Sequence, residues 1–131
     1  MKRLEDWPSR LEAYLEAKRD IPFAWGTNDC CSFAAGAIEA MTGESLPTAM
    51  RGTEAEAREL LQSWGGLITI VTKLFGKPHP INFAHRGDLV LLRNDPDLLG
   101  IFTSSGVAAP GELGMLLLPR SAARVCWRVG R

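Results

Sequence analysis

The residues best suited to chemistry lie in one stretch, Asp29-Cys30-Cys31-Ser32. Asp29 is a good helix N-cap, because its short carboxylate can accept the backbone N–H groups that the first turn of a helix leaves unpaired. A helix then begins at Cys30, and Gly43, which takes the left-handed conformation without strain, closes it. A thiol in the first turn sits at the positive end of the helix dipole, which favours thiolate and makes a cysteine nucleophilic. Cys30 is thus the candidate nucleophile. On local pattern alone a structural role is favoured over it: Cys30, Ala34, Ala37, Ile38 and Met41 fall on one helical stripe, and a free cysteine packs as a small hydrophobe. Ser32 suits capping better than attack, for no basic partner is evident.

A cysteine nucleophile also needs a base to take its proton and return it to the leaving group. The chain has two histidines, His79 and His85, in one proline-containing loop. His85 lies just before Asp88 and becomes a candidate base if that loop folds over the start of the Cys30 helix; otherwise both imidazoles are loop residues in solvent. Asp88 itself suits a cap or turn at the start of a strand, and Arg86 and Arg93 suit a solvated surface. Cys126 is remote, and there is no Cys-x-x-Cys pattern, so neither a metal site nor a cofactor is expected.

The elements that must position these groups fit one domain over residues 1–131, long enough to bury a core without disulfides or a structural metal. Lys+Arg and Asp+Glu number 15 each, which removes the basic footprint of a non-specific nucleic-acid binder. No apolar run is long enough to span a bilayer, and Met1 to Trp7 lack the apolar stretch of a secretory signal, so synthesis in a cytoplasm is expected.

Asp6-Trp7-Pro8-Ser9 opens a first helix, which ends near Asp20 because Pro22 disfavours helix before it. Pro22-Phe23-Ala24-Trp25-Gly26 is apolar but broken; Phe23 and Trp25 either pack beside the Cys30 helix or wall a groove. Thr53-Glu54-Ala55-Glu56 is a capping box and predicts a helix to about Trp64. Leu67 to Phe75 mixes β-branched content with helical spacing, and a short helix closed by Gly76 is favoured. From Gly87 the character changes to short apolar runs separated by turns: 87–92, then 98–103 after a turn at Asn94 to Asp97, then 106–111, 115–118 and 125–129. Helices first and strands second predict an α+β domain, N-terminal helices packed on a C-terminal antiparallel sheet.

This order of motifs resembles the NlpC/P60 cell-wall peptidases, small papain-like enzymes. The resemblance rests on Phe23-Ala24-Trp25-Gly26, Asp29-Cys30-Cys31-Ser32-Phe33, Gly87-Asp88-Leu89-Val90 and Leu98-Leu99-Gly100-Ile101-Phe102. The pattern is nearer to a compact group of uncharacterised proteins encoded in phages, prophages and gene transfer agents, through Met41-Thr42-Gly43, Arg51-Gly52 and Trp127 to Gly130. The resemblance implies Cys30 at the nucleophile position, with Trp25, Asp29 and Phe23 lining the site. It also implies a histidine opening the second strand, where this chain has Leu98.

The function that follows is a structural or assembly protein of a phage tail tip, with a degenerate fold that has lost its base. Other tail-tip or hub proteins are the expected partners, with peptidoglycan as a further one, and the virion is the expected location. The alternative is an active hydrolase cutting peptidoglycan stem peptides during genome delivery, with Cys30 as nucleophile and His85 as a displaced base. A host-encoded binding protein on the same fold is a third option that no residue selects.

Overall fold

A computed structural model describes residues 2–24, 27–46, 67–93 and 98–130. The helix expected over 53–64, the turn at 94–97 and Trp25 lie outside the described residues.

Among the described residues three helices form where the sequence pattern places them: α1 (Trp7–Lys18), α2 (Cys30–Thr42) and α3 (Leu67–Phe75). Pro8 occupies the first turn of α1, where its missing N–H costs nothing. At α2 the Asp29 carboxylate accepts the Ser32 backbone N–H at 2.8 Å, and Gly43 ends the helix at φ 74°. Ser32 therefore takes part in the cap through its backbone; its hydroxyl is buried with no partner. Gly76 follows α3 with φ 88°.

Six strands follow: β1 (His79–Pro80), β2 (Leu89–Leu92), β3 (Leu98–Thr103), β4 (Gly106–Gly111), β5 (Gly114–Leu118) and β6 (Ala123–Trp127). They make one sheet in the order β1-β6-β2-β3-β4-β5, with every neighbouring pair antiparallel. The α+β expectation is borne out. Two short pieces were not legible as elements: β1 lies inside what the sequence presents as a loop, at an edge where Pro80 breaks no inner ladder, and a 3-10 turn spans Ile81–Phe83.

Because successive strand residues face opposite ways, the sheet separates two apolar layers. Leu89, Leu91, Leu99, Ile101, Ala108 and Trp127 face the helices, packing with Leu11, Phe33, Ala34, Ala37, Ile38, Met41 and Val71. Val90, Leu92, Val107, Ala109 and Cys126 form the other layer, with Leu98 and Phe102 against them. The Trp127 indole N–H reaches the Thr72 hydroxyl at 3.3 Å and fixes α3 against the first layer. α1 approaches α2 closely at Gly36, where a β-carbon would run into the Tyr14 hydroxyl. That hydroxyl donates to the Phe33 carbonyl at 2.8 Å.

The two ends of the domain are tied together. Arg3 donates from its backbone to the Gly130 carbonyl and from Nε to the Val129 carbonyl at 2.6 Å, while Leu4 N–H bonds the Met41 carbonyl at the end of α2. The rest of the Arg3 guanidinium goes to Asp88 Oδ1 at 3.0 Å and to the Arg86 carbonyl at 2.9 Å.

Candidate functional site

The start of α2 lies over the helix-facing side of β3. Cys30 and Cys31 are both half-buried, and all three cysteines are free thiols. The Cys31 thiol donates toward the Cys30 sulfur, and the Leu99 backbone N–H adds a second donor; together they hold the Cys30 pKa below the ordinary thiol value despite burial. Cys31, the donor of the pair and itself desolvated, is pushed up and stays protonated. The cap and the helix dipole act on Cys30 as the sequence predicts, so it is a thiolate-prone sulfur at a helix start.

The loop before α2 is fastened to the same pole. Phe23 N–H donates to the Gly111 carbonyl at 2.8 Å, and Ala24 N–H to the Asn28 carbonyl at 3.3 Å. The Asn28 amide donates to the Ile21 and Pro22 carbonyls, both at 3.1 Å, while its Oδ1 is buried without a partner. Phe23 is half-buried and Asp29 buried. Asp29 is thus a helix cap, and Phe23 sits beside the β4 end at the Cys30 pole. Asn28 staples the loop, and in the sequence only its position before the cap hints at this role.

Neither imidazole reaches this pole. The loop carrying His85 is folded by Asp88, whose Oδ2 accepts the His85 backbone N–H at 3.0 Å. That turn packs at the opposite end of α2: a β-carbon on Gly87 would lie 2.9 Å from the Met41 sulfur. Met41 lies eleven helical steps beyond Cys30, about 16 Å at the helical rise. His85 is therefore not a displaced base for Cys30, and the expectation is corrected: the loop closes over the C-terminal end of the helix, and its imidazole is exposed. His79 pairs with Cys126 in register, which sends both side chains to the layer away from the helices. Three strand spacings, roughly 14 Å, also separate β1 from β3.

Leu98 faces away from the cysteine pole. The alternation of β3 puts Leu98 against the outer layer and Leu99 against α2. The side chain beneath the cysteine pole is that of Leu99, whose backbone N–H also meets the Cys30 sulfur. Among the described residues no group of three or more His, Cys, Asp or Glu side chains could hold a metal ion. What this pole presents among the described residues is a thiolate-prone sulfur, a thiol donor beside it and apolar surroundings, with no imidazole within reach.

A family model described as a domain of unknown function, DUF6950, matches residues 2–129. No curated protein matches the chain. Among solved structures the chain is similar to RipD from Mycobacterium tuberculosis, described as a non-catalytic NlpC/p60 domain protein adapted to a peptidoglycan-binding function. The two share 14% identity with a TM-score of 0.61, over 96% of this chain and 99% of that one. The likeness shows an NlpC/P60-type fold.

Proposed function

From the premise that this chain belongs to the DUF6950 family and carries an NlpC/P60-type fold, we propose that it is a non-catalytic member of that fold. It would serve as a structural or assembly component of a phage or prophage tail tip and engage peptidoglycan or neighbouring tail proteins without cutting the wall. One observation carries the non-catalytic part: both histidines lie far from the Cys30 sulfur, His85 at the other end of α2 and His79 on the outer face of the sheet. The helix dipole, the Cys31 thiol and the Leu99 N–H stabilise a thiolate, but peptide cleavage also needs a proton delivered to the leaving amine. Cys31 is held as a high-pKa thiol and is a poor acid for that step. RipD, a non-catalytic protein of the same fold adapted to peptidoglycan binding, supports wall engagement by analogy of fold. The tail-tip assignment rests on the motif resemblance, with the virion as the proposed location.

The test pairs two assays on the intact protein. Incubation with muropeptides, with Cys30→Ser as control, is expected to release no fragment from either protein. Sedimentation with purified sacculi is expected to pull down both equally. Fragment release that stops in Cys30→Ser would establish the hydrolase instead, and failure to bind either sacculi or a tail component from the same genome would remove the proposed role.

A further inference from the structure

A shallow groove of about 170 Å³ runs along α1 on the helix-facing side of the sheet, apart from the cysteine pole. Leu11, Leu15, Met115 and Leu117 supply its apolar lining. Thr103, Ser104 and Ser105 of the β3–β4 turn, Arg86 and Glu12 supply its polar rim. The volume is comparable with cavities that accept a six-carbon hydrocarbon.

The rim carries one charge of each sign, Arg86 and Glu12, and only the cation is held against an aromatic ring. Two guanidinium groups stack on the Trp7 ring, Arg3 at 4.3 Å and Arg86 at 5.6 Å from its centroid. The Arg3 charge is matched by Asp88, but Arg86 makes no ion pair among the described residues. A planar guanidinium held against an aromatic face beside two serines favours a carboxylate, which it can meet with paired N–H donors. Glu12 repels a carboxylate placed elsewhere along the groove. Trp7, Leu11 and Leu15 succeed one another at helical spacing, so Arg86 marks one end of the apolar strip.

We propose that this groove captures the carboxyl terminus of a protein ending in a branched aliphatic residue, its carboxylate on Arg86 and its side chain between α1 and β5. The space available exceeds that needed by an alanine methyl, which sets this occupant apart from a stem peptide ending in alanine. The proposal does not depend on the peptidoglycan role, because the groove shares no residue with the cysteine pole.

The test is an NMR titration of the intact protein with an acetylated tripeptide ending in leucine, as free acid and as carboxamide. The acid is expected to shift resonances around Arg86, Ser105 and Leu117 and to bind about tenfold more tightly than the amide. A peptide ending in alanine is expected to bind more weakly than the leucine acid. Arg86→Gln is expected to erase the acid–amide difference, while Leu117→Ser weakens the leucine peptide and leaves that difference in place. The acid–amide pair needs no variant, so its outcome stands even if Arg86→Gln loses stability by leaving Trp7. Equal affinity of acid and amide, or no shift at ~10 mM acid, would overturn the proposal, as would alanine binding as tightly as leucine.

Discussion

Asp88 and Arg3, 85 positions apart in sequence, meet at 3.0 Å with the carboxylate fully buried and the guanidinium 8% exposed. One carboxylate also accepts the backbone N–H groups of His85 at 3.0 Å and Val129 at 3.4 Å. It thus joins the start of the chain, the turn before β2 and the segment after β6.

Removing that carboxylate strands a buried cation and two N–H groups. Asp88→Ala is expected to lower the unfolding free energy by about 3–5 kcal/mol, the usual cost of breaking a buried pair from one side. Urea denaturation measures it, and a loss below roughly 1 kcal/mol would mean that the pair behaves as a surface ion pair. Arg3→Met with Asp88→Leu should recover part of the loss, since neither member then keeps an unmatched charge.

Gly36 has a steric role. Gly36→Ala forces the added methyl against the Tyr14 hydroxyl and ring and is expected to cost about 1–3 kcal/mol as an overpacked contact. Helix propensity alone predicts a gain of up to about 1 kcal/mol for the same change, so the sign of the shift in melting temperature separates the two effects. Adding Tyr14→Phe should relieve part of the cost by taking away the hydroxyl.

The cysteine pair makes a pH prediction. A lowered pKa means that thiolate at Cys30 is populated at lower pH than in a free thiol, whose ordinary value is 9.0 here. Alkylation at Cys30 by iodoacetamide, followed by mass spectrometry across pH, is expected to show its midpoint below the ordinary thiol value of 9.0, while Cys31 stays unlabelled. Cys31→Ala removes the first donor to the Cys30 sulfur and should move the Cys30 profile upward. An unchanged profile would show that the thiol contact does not stabilise the thiolate.

Restoring the histidine at the position suggested by sequence should not create an enzyme. Leu98 packs against the outer layer, so in Leu98→His the imidazole faces away from Cys30. Muropeptide cleavage is expected to stay at background, short of the 10²–10⁴-fold (roughly) that a placed base contributes. Measurable turnover by Leu98→His would show that β3 presents this residue to the cysteine pole.

Much of the fold is legible from local patterns. Asp29 and Gly43 bracket α2 because capping and positive φ are properties of a few neighbouring residues. The β-branched run at Leu67 resolves as a helix because its apolar residues keep helical spacing, and Val71 is buried on that stripe. The site was less legible. Period-2 alternation tells that Leu98 and Leu99 face opposite layers but not which layer the helices cover. The fate of His85 depends on a turn set by Asp88, and that turn is anchored by Arg3 from the far end of the chain. No local spacing encodes such a partner. Arg86 likewise reads as a surface charge until Trp7 is seen beneath it.

The Arg3 clamp also determines how the domain can be attached to anything larger. Arg3, Val129 and Gly130 meet at the Met41 end of α2, so the backbone leads in and out of the fold at one pole. Cys30 is at the other pole, about 16 Å along the helix. Chain joined before residue 2 or after residue 130 would leave from the clamped pole, and the domain would be carried like a bulb in a socket, its cysteine end turned outward.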